Sequence, residues 1–329
     1  MQRLLYAFLK LIARAGILIY SRRVFINKPD LLKIKGPLLL AANHPNSFLD
    51  SVILNTLFEQ PVWSLARGDA FKNPLFARAL RALRILPVYR TSEGVENLSE
   101  NYKTFSDCLE LFKRDGIITI FSEGLCVNEW HLRPLKKGTA RLVIRAWDEQ
   151  IPLRVLPVGI NYSSFTRFGK NIFIRFGKII EPEQIRRTGT DGAQYLSFNA
   201  RLTEELEQLV MEIPANDRQL QEEKLAIRVP LWKKILLAFP AFAGWIFHAP
   251  LYYPVKRFTS ARTRSTGHYD SVMTAILLLA YPVYLVFLVS LAWLFTGTAW
   301  VLGLFPLLPV CARSLVELKP QLDPLPVQG

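Results

Sequence analysis

Cysteine is scarce in this 329-residue chain. Cys108, Cys126 and Cys311 are widely spaced, with no CxxC pair and no metal-ligand spacing. That leaves no redox or metal site to propose, and it fits a reducing, cytoplasm-facing compartment. Cys126 and His131 are near neighbours in sequence, but no third ligand accompanies them. GxSxG, Walker A and GxGxxG patterns are also missing, which removes support for hydrolase, nucleotide-binding and dinucleotide-binding readings. No internal repeat and no low-complexity segment occurs. The longest absence is of charge: the 42 residues from Ser271 to Ala312 contain no Asp, Glu, Lys, Arg or His.

As helix, that stretch is roughly 63 Å long against a hydrocarbon core of about 30 Å. It has room for a helical hairpin turning at Thr296-Gly297-Thr298. The second arm is short, so a re-entrant segment is the alternative. Arg264 and Arg313 flank the run, and the positive-inside tendency places both ends on the cytoplasmic side. Upstream, Trp232-Lys233-Lys234 leads into the apolar run Ile235 to Tyr253, followed by the basic residues Lys256, Arg257, Arg262 and Arg264.

What is abundant is apolar surface and positive charge: half the residues are hydrophobic and the formal net charge is +14. Such a balance suits nucleic acid, anionic lipid or a phosphorylated substrate. The long apolar runs favour an anionic membrane face over nucleic acid. Leu4 to Tyr20 is apolar but carries Lys10 and Arg14 on one helical face. A spanning helix resists both charges, whereas an interfacial amphipathic anchor accommodates them. A signal peptide fits poorly, because the charges interrupt the apolar region and no clean cleavage site follows.

From Leu31 to about Ile180, strand-like and helix-like segments alternate. Leu38 to Ala42, Val62 to Arg67, Ile85 to Tyr89, Ile117 to Phe121, Val155 to Ile160 and Ile172 to Phe176 read as strands. Phe48 to Phe58, Pro74 to Leu83, Leu98 to Arg114 and Thr139 to Trp147 read as helices. Leu202, Leu206, Leu209 and Val210 mark a further surface helix. The alternation predicts an α/β fold, a mainly parallel sheet flanked by helices. An N-terminal interfacial helix and a C-terminal membrane-embedded helical region complete it. The expected organisation is an anchor over 1–30, a catalytic domain over 31–228 and a membrane region over 229–329 with a helical hairpin at 271–312. Sites in such folds lie where strand ends lead into helices.

The run Asn43-His44-Pro45-Asn46-Ser47-Phe48-Leu49-Asp50 sits at such a strand end. In one continuous helix, His44 and Asp50 would point about 240° apart. They meet if His44 lies in the turn before the helix and Asp50 in its second turn, with Pro45 suited to the first turn. An imidazole held by a carboxylate is a general base with a fixed tautomer.

Asn43-His44-(four residues)-Asp50 resembles the first motif, NHxxxxD, of the glycerolipid acyltransferases. That family includes the glycerol-3-phosphate and 1-acylglycerol-3-phosphate acyltransferases. Three further blocks follow in order. Arg90, closing Ile85-Leu86-Pro87-Val88-Tyr89-Arg90, looks like the end of GxxxxxR, although Arg84 stands where the family has glycine. Phe121-Ser122-Glu123-Gly124 is similar to FPEG, with Ser122 in place of proline. Leu156-Pro157-Val158-Gly159-Ile160 resembles the fourth, apolar block. Pro134-Leu135-Lys136-Lys137-Gly138-Thr139-Ala140-Arg141 is like the basic segment after FPEG. The resemblance covers about residues 31–215.

It implies acyl transfer from acyl-CoA or acyl carrier protein, with no further cofactor, to a hydroxyl of a glycerol-phosphate acceptor. His44 would be the base and Asp50 its orienting partner. Arg90, Lys136, Lys137 and Arg141 would hold the acceptor phosphate. Pro61 to Arg90 carries six basic residues against Asp69 alone, and Trp130 to Arg145 carries five lysines and arginines with no acidic residue. Glu123 either touches the acceptor hydroxyl or orders its loop, with Gly124 allowing close backbone approach. The segment Gly244 to Tyr252, around His248, looks like one found in some glycerol-3-phosphate acyltransferases and tilts the acceptor toward glycerol 3-phosphate. Its plainer reading, like that of His268, is a polar residue at the bilayer interface. Two readings of other classes compete. A non-catalytic module that binds anionic lipid shares the charge and the apolar runs but needs neither His44 nor Asp50. A transporter would need more apolar segments.

Overall fold

The computed structural model describes residues 2–88, 98–186, 189–263 and 266–323. In chain order the elements are α1 (Gln2–Tyr20), β1 (Ser21–Ile26), β2 (Leu38–Ala42), α2 (Phe48–Leu57), β3 (Val62–Arg67), α3 (Pro74–Ala82) and β4 (Ile85–Val88). Next come α4 (Leu98–Lys113), β5 (Ile117–Phe121), α5 (Lys137–Asp148), β6 (Arg154–Tyr162), β7 (Lys170–Phe176), α6 (Asp191–Glu207) and α7 (Arg218–Leu225). Three apolar helices close the chain: α8 (Leu231–Thr263), α9 (Tyr269–Thr296) and α10 (Leu304–Leu318).

Among the described residues, seven strands form one sheet in the order β1-β7-β6-β2-β5-β3-β4. All neighbours run parallel except β6 and β7, which form an antiparallel pair. The fold is therefore α/β with a mainly parallel sheet. Strand β2, Leu-Leu-Leu-Ala-Ala, is the middle strand and is wholly buried, as a parallel strand covered on both faces must be. Leu39 and Ala41 face Phe112, Trp147 and Phe198 from α4, α5 and α6. Leu38, Leu40 and Ala42 face Ile53, Leu54 and Phe58 on the α2 side. From β2 the chain moves to β3 on one side, and from β5 it crosses to β6 on the other. The strand order thus diverges around β2, and in folds of this kind sites lie at the carboxyl ends of the strands at such a point.

The sheet begins at Ser21, inside the segment expected to be anchor alone. Strand β1 pairs with β7, and Val24 and Ile26 pack on the core. Two arginines open this strand and hide its alternation. Their role is to receive the end of α10: Arg22 Nη2 donates to Val316 O at 2.7 Å, and Arg23 Nη1 pairs with Glu317 at 2.8 Å. Arg313 reaches back, donating to Leu18 O at 2.8 Å and Arg22 O at 2.6 Å. Helix α1 presents Leu4, Phe8, Leu11 and Leu18 outward. Its Lys10 turns inward instead and donates to Phe58 O at 2.5 Å, where α2 ends with unpaired carbonyls.

Helices α8 and α9 and the segment Ala299–Leu318 are each long and apolar enough to cross a membrane. Helix α9 ends at Thr296 and is capped by Gly297 in the left-handed region (φ 64°), a conformation that glycine adopts without a Cβ penalty. The chain turns back there.

Candidate active site

His44 is the second residue after β2, and Asp50 is the third residue of α2. Imidazole Nδ1 lies 2.8 Å from Asp50 Oδ2. The pair meets as the spacing predicts, but one turn earlier than expected. Pro45 lies before the helix, and Asp50 is in its first turn, not its second. The reason is a tight bend at Ser47, the residue before α2, whose φ of 51° is strained for a side chain other than glycine. That bend brings the Asn46 amide to Asp50 Oδ2 at 2.8 Å. The imidazole stacks on Phe121, centroids 3.9 Å apart and planes within 9°. Its Nε2 makes no hydrogen bond among the described residues and is the nitrogen left for a ligand.

Asp50 is fully buried, whereas the His44 side chain is 19% exposed. Burial of a carboxylate needs partners. Besides His44 and Asn46, the Tyr162 hydroxyl donates to Asp50 Oδ1 at 2.7 Å. The start of α2 adds the positive end of a helix dipole. Burial and the Asp50 charge push the Tyr162 hydroxyl well above its ordinary pKa, so it stays a donor. Cys126 Sγ accepts the Ser47 amide at 2.9 Å, and burial together with Asp50 pushes its thiol up to about 12. His131 is turned away and pairs with Glu212 at 2.6 Å.

Glu123 is buried beneath the turn. Its carboxylate accepts the His44 amide at 3.0 Å and the Arg133 amide at 3.1 Å. Burial raises its pKa, against the lowering effect of those two amides. Gly124 has φ 65°, and a Cβ there would stand 3.0 Å from Lys136 Cγ. Lys136 and Lys137 are exposed at the start of α5. The Lys136 amide donates to Ser122 O at 2.8 Å, which ties this basic segment to the end of β5. Arg141, one turn on, lies over the Tyr195 ring of α6 at 6.0 Å. Arg90 falls outside the described residues.

Two departures from the motif pattern have local explanations. Arg84, where the family has glycine, sits at φ 61°. The position therefore calls for a left-handed residue. Its guanidinium is held over Tyr6 at 4.5 Å. Ser122, in place of proline, donates its amide to Ala42 O at 2.9 Å, extending the sheet by a bond proline lacks.

A second polar layer underlies the turn, and sequence reasoning missed it. Asn46 Nδ2 donates to Asp270 Oδ2 at 2.6 Å. Asp270 also takes Lys170 of β7 as an ion-pair partner and the Tyr20 hydroxyl as a donor. Ser271 Oγ donates to Asn46 O and accepts the Leu49 amide, both at 3.0 Å. Ser47 Oγ lies 2.6 Å from His268 Nδ1. Burial, then His44 and Arg67, lower the His268 pKa, so its ring favours the neutral form. Burial likewise lowers that of Lys170, opposed by Asp270. Two signals were available: Asp270 is the last charge before the charge-free run, and Lys170 is a fully buried charge at the start of a strand whose Ile172, Ile174 and Phe176 face the core. His248 is held within the helix layer, Nδ1 2.7 Å from Gly244 O and Nε2 3.2 Å from the Tyr281 hydroxyl.

A partly exposed imidazole held by a buried carboxylate, at the carboxyl end of a mainly parallel sheet and beside membrane-length helices, can take a proton from a hydroxyl. Residues 23–161 of the chain match the family model described as Acyltransferase. Among solved structures it is similar to the 1-acyl-sn-glycerophosphate (LPA) acyltransferase, PlsC, from Thermotoga maritima. That likeness has 12% sequence identity and a TM-score of 0.42, and it covers 63% of this chain and 79% of that chain. No curated protein matches the sequence.

Proposed function

We propose that this acyltransferase moves a fatty acyl group from acyl-CoA or acyl carrier protein to a hydroxyl of glycerol 3-phosphate, on the cytoplasmic face of a membrane. The observation that carries the reading is the 2.8 Å contact between His44 Nδ1 and Asp50 Oδ2, with Nε2 left open. Asp50 holds the proton on Nδ1, so Nε2 is the basic nitrogen. Nε2 takes the acceptor hydroxyl proton as the oxygen attacks the thioester carbonyl. The new C–O bond forms, the C–S bond breaks, and the imidazolium returns the proton to the departing thiolate. No enzyme nucleophile and no cofactor enter the scheme. The donor is a co-substrate.

In this reading Lys136 and Lys137 receive the acceptor phosphate, supported by their exposure at the start of α5, where helix amides also favour an anion. Arg90 and Arg141 complete the basic set. Glu123, with both oxygens committed to backbone amides, orders the loop rather than touching the acceptor. Three membrane-length helices support a membrane location, and Lys256, Arg257 and Arg262 at the end of α8 support the cytoplasmic orientation.

A 1-acylglycerol-3-phosphate acceptor is the second reading. The contacts of His268 and Ser271 with the turn favour it, because they set His44 beside the start of a membrane-length helix, where a lipid acceptor would arrive. The deciding assay supplies each acceptor in turn to the purified protein with a labelled acyl donor. Turnover of glycerol 3-phosphate alone supports the first reading, and turnover of only the 1-acyl compound replaces it with the second. Turnover of neither, with His44 intact, would overturn both and favour a lipid-binding module.

A further inference from the structure

Helices α1, α8, α9 and α10 line a half-open cavity of about 340 Å³, within the range of roughly 300–1,000 Å³ usual for small-ligand sites. Ile12, Ile19, Trp245, Leu277, Leu278 and Leu315 make its walls apolar. No residue of the 43–50 turn lines it. The Tyr20 ring closes its inner side, and the Tyr20 hydroxyl reaches Asp270 beneath the turn.

One ammonium group enters this apolar space. Lys319, the residue after α10, lines the cavity with Nζ 4.3 Å from the Tyr252 ring centroid and 5.9 Å from that of Phe168. The charges acting on it are Lys256 and Arg167, both cations, and among the described residues none of the three forms an ion pair. Burial and these two neighbours hold Lys319 down to about 8. A half-buried cation whose charged neighbours are both cations favours an anion beside it. The walls require a hydrocarbon chain, and three of the four helices are of membrane length, so the bilayer is the source that supplies both.

We propose that this cavity binds an anionic glycerophospholipid of the surrounding membrane, one acyl chain between α1, α8, α9 and α10 and the phosphate at Lys319, Lys256 and Arg167. The lipid is a bound companion of the enzyme and not a reactant, because the reacting turn does not reach the cavity. The same helix α9 that walls the cavity carries Asp270 at its first turn, so occupancy steadies the element that holds Asn46.

The test is native mass spectrometry of the full chain in mild detergent, titrated with phosphatidylglycerol or phosphatidylcholine of the same chains. One phosphatidylglycerol should be retained, in preference to phosphatidylcholine by about tenfold. Lys319→Gln should abolish the preference, Lys319→Arg should keep it, and Ala15→Trp, which fills the cavity from α1, should remove binding of both lipids. His44→Ala should bind as the parent does, so the result stands apart from the acyl-transfer reading. Equal retention of the two lipids, or an undiminished preference in Lys319→Gln, would overturn the proposal. So would displacement of the lipid by an acyl-CoA thioether, which would make the cavity the donor's chain site instead.

Discussion

Asn46 Nδ2 and Asp270 Oδ2, 224 positions apart in sequence, lie 2.6 Å apart beneath the turn at 43–50. This bond joins the residue beside the His44–Asp50 pair to the first turn of a membrane-length helix. The Asp270 carboxylate is shared with Lys170, and both side chains are essentially buried, at 2% and 0% exposure. Removing one partner leaves a buried charge alone, which costs about 3–5 kcal/mol.

Asp270→Asn should therefore lower the thermal midpoint of the detergent-solubilised protein substantially, and Lys170→Met should do likewise. The double variant Lys170→Met/Asp270→Leu should recover most of the stability, since no lone charge remains. It should not recover the acyl-transfer rate, because Asn46 loses its acceptor and the turn loses its floor. Recovery of both together would show that the ion pair does not position the turn.

His44→Ala should reduce acyl transfer on the order of 10²–10⁴-fold. Asp50→Asn should fall into the same range, because an amide no longer selects the Nδ1–H tautomer. Neither change touches α8, α9 or α10, so sedimentation with phospholipid vesicles should match the parent. Activity that survived His44→Ala would remove the base assignment, and loss of vesicle binding would make the effect one of folding.

The His–Asp pair and its strand were legible because both are local. Five apolar residues ending at Asn43-His44 mark β2, and the spacing to Asp50 needs only a bend before a helix. The bend itself was misplaced by one turn, because a left-handed Ser47 has no sequence signature. Strand β1 was hidden for a different reason: Arg22 and Arg23 occupy it to serve α10, a partner about 290 residues away in sequence. The layer of Tyr162, Lys170 and Asp270 was legible only as two isolated charges, Lys170 and Asp270, with nothing local to join them. Each lies on a different element, and periodicity reports which face of an element is buried without naming what covers it.

Glu123→Gln should separate loop ordering from acceptor contact. The carboxylate accepts two backbone amides, those of His44 and Arg133. Glutamine retains one oxygen and turns an NH2 toward the other amide, which leaves a buried donor without an acceptor at a cost of about 1–3 kcal/mol. The expected outcome is a lower melting temperature and a lower kcat, with KM for the acceptor changed little. A KM that rose tenfold with melting unchanged would restore the acceptor-contact role.

Lys319 sets a pH dependence whose sign can be worked out. Its folded pKa is held down to about 8 from an ordinary 10.5. Between those values the unfolded chain binds the proton and the folded chain does not, so stability rises with pH across that window. The contribution is lost as pH falls through about 8. In lipid-free detergent, Lys319→Met removes the charge and should melt higher than the parent at neutral pH. The gap should narrow as pH rises toward the ordinary lysine range. Phosphatidylglycerol should close the same gap at neutral pH, because a phosphate beside Nζ favours the charged form and restores its pKa. A melting difference that ignored both pH and anionic lipid would mean that Lys319 is held by packing alone.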